Sequence, residues 1–240
     1  MKGDLLCKST FKASIVIPTL NGGAEFKKCL EMIYKQNTRY TFEVIVIDSG
    51  SRDGSVEVAQ KFPVRLYQIN KKNFNHGLTR QWGVDLAHGE YVTFITQDAI
   101  PYDENWLNSL IENLENDENV AGVYSRQIPK PGCDPIAKTR IENWITGSNE
   151  KRIRYIKDRL AYDSLSPWDK RIFINYDNVS SCARKEILKK CPYSKVEFGE
   201  DLEWSKRVLE AGYKIIYEPR SKVYHSHASS IMRNYKRAFI

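Results

Sequence analysis

The chain has 240 residues, 41% of them hydrophobic, and its 37 basic and 30 acidic residues give a net charge of +7. This length supports one large domain or at most two small ones, and no apolar run reaches the roughly 18 residues that a membrane-spanning helix needs. The five cysteines form no CxxC pair, which argues against a zinc site or a disulfide framework and for a reducing, cytoplasmic location.

Strands and helices alternate along the first half of the chain. The apolar segment 13–18 predicts a buried strand, and a loop of turn-forming residues follows at 19–23. The hydrophobic pattern then predicts strands at 42–47, 64–69, within 89–101 and at 120–124, and helices at 24–35, 55–61, 78–87 and 105–116. This order indicates an α/β fold with a Rossmann-like, mostly parallel central sheet and helices on both faces.

The alternation stops after residue 126. An irregular connector at 128–135 precedes a strongly basic segment, 141–160, whose pattern predicts a helix. The remaining predicted elements are a loop at 166–169, an extended segment at 173–183, helices at 185–190 and about 200–211, strands at 214–217 and 222–224, and a basic amphipathic tail at 231–240. No linker separates independent domains, so we expect a single domain over residues 1–240.

Carboxylates follow two of the predicted strands. Asp48 and Asp53 lie on one loop after the second strand, and Asp98 ends the fourth. Ligands of an open α/β sheet bind at the edge where the strands end, so these acids predict a shared pocket in which Asp98 holds a divalent metal on a nucleotide diphosphate. The plainer alternatives are turns at Asp53 and Asp98 and a helix N-cap at Asp48.

Arg80 lies near the start of the predicted helix 78–87, shortly after Gly77, which permits a close backbone approach. An arginine is unfavourable at the positive end of a helix dipole, so another group should account for its position. A bound phosphate and a structural salt bridge are both open at this point.

Two later segments carry further candidate groups. Asp201 lies at an acidic helix start beside Glu200, so it is either a general base or an acid that favours the helix dipole. His225 and His227 alternate directly after a strand, so both side chains point to the same side. Asp98, an imidazole and phosphate oxygens would form the mixed O/N shell that suits Mn or Mg.

Six segments of the chain resemble family 2 glycosyltransferases of the GT-A fold, and within that family its bacterial rhamnosyltransferase-like members. The resemblance extends from about residue 14 to residue 237. It rests on segments 14–21, 43–54, 75–80, 94–101, 198–204 and 223–227. Each segment is short, and their order along the chain is what is typical of the family.

The resemblance implies that the two halves of the chain have different functions. Residues 13–126 would bind the nucleotide sugar, and residues 127–240 would bind the acceptor and supply the catalytic base. Glu200 and Trp204 would lie on the acceptor side. The residues implied to contact the donor are Pro18, Thr19, Asn21, Asp48, Asp53, Arg80, Gln97 and Asp98.

The resemblance also implies a base and a metal site. Asp201 would be the catalytic base. Asp98 and His225 would bind Mn or Mg, with His227 as a competing ligand. The implied reaction is a metal-dependent, inverting transfer, with L-rhamnose from dTDP-L-rhamnose as the predicted sugar and a glycan or lipid-linked saccharide of surface polysaccharide synthesis as the acceptor.

One departure and several alternatives accompany this prediction. Thr96 stands where the family's DxD motif has its first acid, and Ala99 follows Asp98, so Asp98 is the single acid of the motif. Another donor such as a UDP-hexose is the nearest alternative, and a sugar-nucleotide pyrophosphorylase is a more distant one. The ordered acids argue against a nucleic-acid-binding protein.

The basic segments 141–160 and 231–240 bear on where the protein works. In the second, Ile231, Tyr235 and Phe239 form an apolar stripe beside basic residues. Two interpretations stay open, namely peripheral contact with the anionic inner face of the cytoplasmic membrane and a solvated basic face.

Overall fold

The structure, a computed structural model, describes residues 11–227, and its strands form one nine-stranded sheet. The strands are β1 (Ala13–Thr19), β2 (Phe42–Asp48), β3 (Val64–Gln68), β4 (Tyr91–Ile95), β5 (Ile100–Pro101), β6 (Val120–Ile128), β7 (Arg152–Arg154), β8 (Ser180–Arg184) and β9 (Lys214–Tyr224). The helices are α1 (Gly23–Tyr34), α2 (Ser55–Ala59), α3 (His76–Leu86), α4 (Trp106–Asn116), α5 (Pro135–Glu142), α6 (Arg159–Asp163), α7 (Pro167–Phe173), α8 (Lys185–Lys190) and α9 (Glu200–Glu210).

The sheet is mostly parallel, as predicted. Its order is β3-β2-β1-β4-β8-β6-β9-β5, and β7 also pairs with β9. Strands β1, β2, β3, β4, β6 and β9 run in one direction, whereas β5, β7 and β8 run against it. The strands that run together therefore end at the same edge of the sheet, called the C-terminal edge below.

The two faces of the sheet are covered by different helices, which confirms the predicted layers. Alternate residues of β1 point to opposite faces, so Ile15 and Ile17 pack in one core and Val16 packs in the other. The first core also contains α1 and α4 through Phe26, Leu30, Trp106 and Leu110. The second contains α3, α8 and α9 through Val84, Ile187, Trp204 and Val208. Burial on both faces explains why these strands are continuously apolar.

The predicted helix at 141–160 is wrong. Helix α5 ends at Glu142, and a Cβ on Gly147 would lie 2.1 Å from the Ile141 oxygen, which leaves room only for glycine in the turn that follows. Residues 152–154 form β7 instead, antiparallel to β9, with the Arg152 guanidinium over the Tyr217 ring. A new helix, α6, begins only at residue 159, after the N-cap Asp158.

Three further elements differ from the prediction in the second half. The predicted loop at 166–169 starts α7, because Ser166 caps the helix by accepting the Asp169 N–H and Pro167 occupies its first turn. Only residues 180–184 of the predicted extended segment form a strand. The strands predicted at 214–217 and 222–224 are one strand, β9, with an irregular register opposite Ser125 and Arg126.

Other expectations hold within the described residues. Helix α8 has its predicted bounds, and α9 ends one residue earlier than expected. The four cysteines between residues 11 and 227 are free thiols. None of the helices in this part of the chain is both long and apolar enough to cross a membrane. The tail predicted at 231–240 lies outside the described residues.

Candidate functional site

The polar side chains singled out from the sequence gather at the C-terminal edge. Strand β1 leads to Asn21, β2 leads to Asp48 and Asp53, β4 leads to Asp98, and β9 leads to His225. These strands run in one direction, so they deliver their next loops to a single side of the molecule. The antiparallel strand β8 begins at this edge, so the segment before it, 174–179, also enters the site.

Asp48 is a buried carboxylate with one oxygen left over. Its side chain is 1% exposed, and Oδ2 accepts hydrogen bonds from the backbone N–H groups of Gly50 and Ser51. Oδ1 is also buried, yet it accepts no hydrogen bond from any residue that the structure describes. A buried acceptor without a partner is costly, so this oxygen can receive an N–H group from a ligand.

Asp53 and Asn21 shape the loops around that oxygen. Asp53 accepts the Gly23 N–H at 2.9 Å and the Ser55 hydroxyl at 2.6 Å, and the Ser55 hydrogen bond is the main reason its pKa is lowered. Asn21 has a positive φ of 49° and accepts the Arg52 N–H at 2.9 Å. Both side chains therefore hold the first two loops of the edge against each other.

The remaining predicted donor contacts at this end line the same loops. The Thr19 carbonyl accepts the N–H and the hydroxyl of Ser49, and Pro18 precedes it as a half-buried residue of β1. Gln97 forms a two-way bridge with Leu20, because its amide oxygen accepts the Leu20 N–H and its amide nitrogen donates to the Leu20 oxygen. The structure thus brings the ends of β1, β2 and β4 together.

One carboxylate and two imidazoles meet where β4 and β9 end. Asp98 Oδ2 lies 3.7 Å from His225 Nε2 and 3.5 Å from His227 Nδ1. One ligand atom of each residue lies within 4.8 Å of the others, so all three can bind a single ion. Burial acts to raise the pKa of Asp98, but the two imidazoles and the Lys130 ammonium outweigh it and lower this pKa.

The three groups fit a divalent cation such as Mn or Mg in the chemistry of their donor atoms. A carboxylate oxygen suits both ions, and imidazole nitrogens are ligands of transition metals more than of Mg. The sequence left His225 and His227 as competing ligands, whereas the structure places both beside Asp98. Each histidine places one ring nitrogen toward the Asp98 carboxylate. These two nitrogens would be additional metal ligands beside the single acid of the motif.

Arg80 is buried and paired within the protein. Its side chain is 5% exposed, and Nη1 donates to Glu200 Oε1 at 2.7 Å, with the Glu200 side chain 8% exposed. Gly77 makes this contact feasible, because a Cβ there would lie 2.2 Å from the Ser194 oxygen and separate α3 from the loop before α9. The salt bridge, one of the two interpretations left open by the sequence, is the one that this geometry displays.

Asp201, the predicted base, begins α9 next to that ion pair. Its Oδ2 accepts the Asn178 N–H at 3.3 Å, and its Oδ1 accepts the Leu202 N–H at 2.8 Å. Burial and the neighbouring Glu200 carboxylate raise the pKa of Asp201 to about 6. A carboxylate whose pKa lies near the working pH is suited to general-base catalysis.

A second acid, Asp177, lies close to Asp201 and was missed by the sequence analysis. Burial and the charge of Asp201 raise the pKa of Asp177 to about 7. Its Oδ1 accepts the Val179 N–H at 2.8 Å, and its Oδ2 accepts the Gln127 amide at 2.5 Å. The available signal was the polar pair Asp177-Asn178, which interrupts an otherwise extended segment just before a buried strand.

Trp204, predicted on the acceptor side with Glu200, is a core residue. It is fully buried, its Nε1 donates to the Cys191 oxygen at 2.9 Å, and its ring packs against Tyr176 and Tyr193. It lies on the inner face of α9, whereas Asp201 faces the site, so it cannot touch an acceptor in this structure.

Comparison with known proteins shows which family the chain is similar to. The sequence model described as "Glycosyl transferase family 2" matches residues 14–176. The O-antigen chain rhamnosyltransferase RfbN of Salmonella typhimurium is 30% identical over 233 residues, which cover 95% of this chain and 70% of that protein. The O-antigen chain rhamnosyltransferase WbaN of Salmonella anatum is also 30% identical, over 94% of this chain and 70% of that protein.

Solved structures show the same fold. The mannosyltransferase PcManGT from Pyrobaculum calidifontis, in complex with GDP-Man and Mn2+, matches 94% of this chain with a TM-score of 0.66 and 16% identity. TarS 1–349 of S. aureus in complex with UDP-GlcNAc matches 91% of it with a TM-score of 0.63 and 17% identity. This chain spans 60% and 59% of those two chains. The predicted GT-A fold is confirmed, and the chain belongs to glycosyl transferase family 2.

Proposed function

We propose that the protein is an inverting glycosyltransferase that moves L-rhamnose from dTDP-L-rhamnose to a saccharide or lipid-linked saccharide in surface polysaccharide synthesis. The observation that carries the proposal is the meeting, at one sheet edge, of two groups of side chains. One is a triad that could bind a metal, Asp98, His225 and His227, and the other is an acid pair with raised pKa values, Asp177 and Asp201. The identity of the sugar is supported by two relatives named as O-antigen rhamnosyltransferases.

The nucleotide is proposed to bind across the loops after β1 and β2. The buried Oδ1 of Asp48, which accepts no hydrogen bond from residues 11–227, would accept the ring N–H of a thymine or uracil base. Asn21, Asp53 and Gln97 would then act through the loops that they connect. In this proposal residues 13–126 supply most donor contacts, and residues 127–240 supply the base and the acceptor side.

Asp98, His225 and His227 are proposed to hold Mn or Mg beside the donor diphosphate. A bound divalent cation would supply positive charge against the developing charge of the leaving diphosphate. Lys130 adds a fixed ammonium next to Asp98, and it also pairs with Glu25 of α1 at 2.7 Å. The Lys130 ammonium would add to the positive charge that faces the diphosphate.

Asp201 is proposed to remove the proton from the acceptor hydroxyl. The oxygen then attacks the anomeric carbon from the side opposite the diphosphate, the new C–O bond forms as the old one breaks, and the configuration inverts. One carboxylate base and no protein nucleophile are sufficient for this route. In the described structure Arg80 would act on the reaction through Glu200 and the start of α9.

The donor sugar can be tested with a panel of nucleotide sugars. We expect the protein with Mn to hydrolyse dTDP-L-rhamnose slowly without acceptor, at least about tenfold faster than UDP-glucose or UDP-GlcNAc, since pocket contacts of a few kcal/mol separate such substrates. Released dTDP and UDP are measured by chromatography. Equal or faster turnover of a UDP-hexose would favour the alternative donor. Formation of a nucleoside triphosphate when pyrophosphate is added to the nucleotide sugar would point to a pyrophosphorylase.

Removing the charge of the Asp98 carboxylate should weaken binding of the metal. Asp98→Asn keeps the shape of the side chain but loses its charge, so we expect the dissociation constant for Mn to rise at least about tenfold. Free Mn is measured by electron paramagnetic resonance. Asp85→Asn, an exposed acid on α3, is the control and should bind Mn like the wild type. His225→Ala and His227→Ala should each weaken binding, and unchanged affinity in all three variants would contradict the proposed site.

The basic segment 141–160 bears on whether the acceptor is bound at a membrane. The basic charges of segment 141–160, for which a membrane contact was one of two open interpretations, are partly neutralised, because Lys151 pairs with Glu218 and Arg159 pairs with Asp163. A lipid-linked acceptor is therefore supported mainly by the O-antigen relatives.

A further inference from the structure

Gln127 lies between the metal-binding triad and the acid pair, near the end of β6. Its Oε1 lies 2.8 Å from His225 Nδ1. Its Nε2 lies 2.5 Å from Asp177 Oδ2. One amide side chain therefore contacts both chemical parts of the site.

The chemistry of the two neighbours determines which way the amide faces. The Asp177 carboxyl group presents Oδ2 as an acceptor, and the amide NH2 of Gln127 donates to it. The amide oxygen then faces His225, and it can only be satisfied if the proton of the neutral imidazole is on Nδ1. The lone pair of Nε2 is left on the side of Asp98, from which it lies 3.7 Å away.

The same amide holds the segment that carries the second acid. Asp177 also accepts the Val179 N–H, and the next residue, Asn178, donates its backbone N–H to Asp201. Asn178 is itself anchored, because its side-chain oxygen accepts hydrogen bonds from Ser181 and Tyr193. Because Asn178 follows Asp177 directly, a shift of Asp177 would disturb the Asn178 N–H group that donates to Asp201.

We propose that Gln127 is a positioning residue that couples the metal site to the base. It holds the His225 ring in the Nδ1–H tautomer with Nε2 facing Asp98, and it keeps the Asp177 segment in place beside Asp201. This role rests on the proposed function, in which Asp98 and His225 bind the metal and Asp201 is the base.

Two variants of Gln127 separate its two contacts. Gln127→Met is similar in volume and loses both hydrogen bonds. Gln127→Glu keeps an acceptor for His225 Nδ1–H but places a negative charge against Asp177. Gln60→Met, at an exposed position after α2, is the control.

Mn binding and the protonation of His225 are measured first, because neither needs turnover. The chain has four histidines, so long-range 1H–15N spectra can resolve each ring. We expect wild-type His225 as the Nδ1–H tautomer, and Gln127→Met to lose this preference and to weaken Mn binding about 10- to 100-fold. Gln127→Glu and Gln60→Met should bind Mn within about threefold of the wild type, the spread expected without loss of a contact.

Kinetics then test the link to the base. At saturating Mn and donor, we expect kcat of Gln127→Glu to fall at least about tenfold with little change in the donor KM, the pattern of a change felt in the transition state. Wild-type Mn affinity and tautomer in Gln127→Met, or wild-type kcat in Gln127→Glu, would overturn the coupling. A wild-type protein that binds Mn but turns over no nucleotide sugar would instead contradict the proposed function and leave the Mn and tautomer results standing.

Discussion

Replacing Asp201 with asparagine is expected to lower the rate of sugar transfer by about 10²- to 10⁴-fold, the usual contribution of a positioned general base. The amide has nearly the same shape, and its single oxygen can still accept one of the two N–H groups that Asp201 accepts, so the fold around it should persist. Because Asp201 lies on α9, away from the loops after β1 and β2, the nucleotide affinity should change less than about threefold, as for a separate site. Transfer is measured at saturating donor, and nucleotide binding by calorimetry.

The control for this variant is Glu203→Gln, which neutralises another acid in the first turn of α9. Glu203 pairs with Arg207 at 2.5 Å, outside the acid pair. It should retain nearly full activity, since a partly exposed pair of this kind contributes little. Loss of nucleotide binding in Asp201→Asn, with little change in kcat, would remove Asp201 from the role of base.

The pH dependence of the wild type should report the same group. The base acts in its deprotonated form, and its pKa is raised to about 6, with that of Asp177 raised to about 7. Transfer should therefore increase with pH through this range and level off above it. The apparent value belongs to the coupled pair. Asp177→Asn leaves one titrating acid, so the limb should become a single step near the lower of these two values.

Replacing Arg80 with methionine is expected to lower the free energy of unfolding by about 3–5 kcal/mol, the cost of breaking a buried ion pair from one side. The Arg80 and Glu200 side chains are 5% and 8% exposed, so the remaining carboxylate would be left nearly out of water. The double variant Arg80→Met with Glu200→Gln removes both charges and should regain part of the loss. The free energy is measured by urea denaturation.

Arg159→Met provides the matched control for this second prediction. Arg159 also pairs with a carboxylate, Asp163, but the two side chains are 56% and 50% exposed. Its loss should cost less than about 1 kcal/mol, as is usual for exposed pairs. An Arg80→Met protein that keeps its stability but loses donor affinity would restore the other interpretation from the sequence, a phosphate contact.

The prediction of the first half from sequence succeeded because its signals are local and strong. Strand β1 is buried on both faces, so its residues are apolar without interruption, and Pro18 and the loop after it mark its end. Helix α1 has a single apolar face with Phe26, Leu30 and Ile33, which sets its position to within a residue. The polar residues after such strands then point to the C-terminal edge without further information.

The second half shows where such signals run out. Strand β7 has three residues and α6 has five, too few for a period to be distinguished. Strand β7 exists because β9 offers it a partner, and β9 lies some sixty residues further along the chain. A basic run with helical spacing carries no trace of that pairing, so the predicted helix at 141–160 was a reasonable but wrong interpretation.

For the site, local patterns were sufficient to identify the candidate acids and histidines, because parallel strands that end in polar residues present them at one edge. The other features depend on contacts between distant segments. The tertiary structure paired Arg80 with Glu200 across 120 positions, buried Trp204, and brought both histidines to Asp98. It also let the antiparallel β8 carry Asp177 to Gln127. Hydrogen bonds and burial between distant segments have no local pattern, so only the folded sheet could bring them into view.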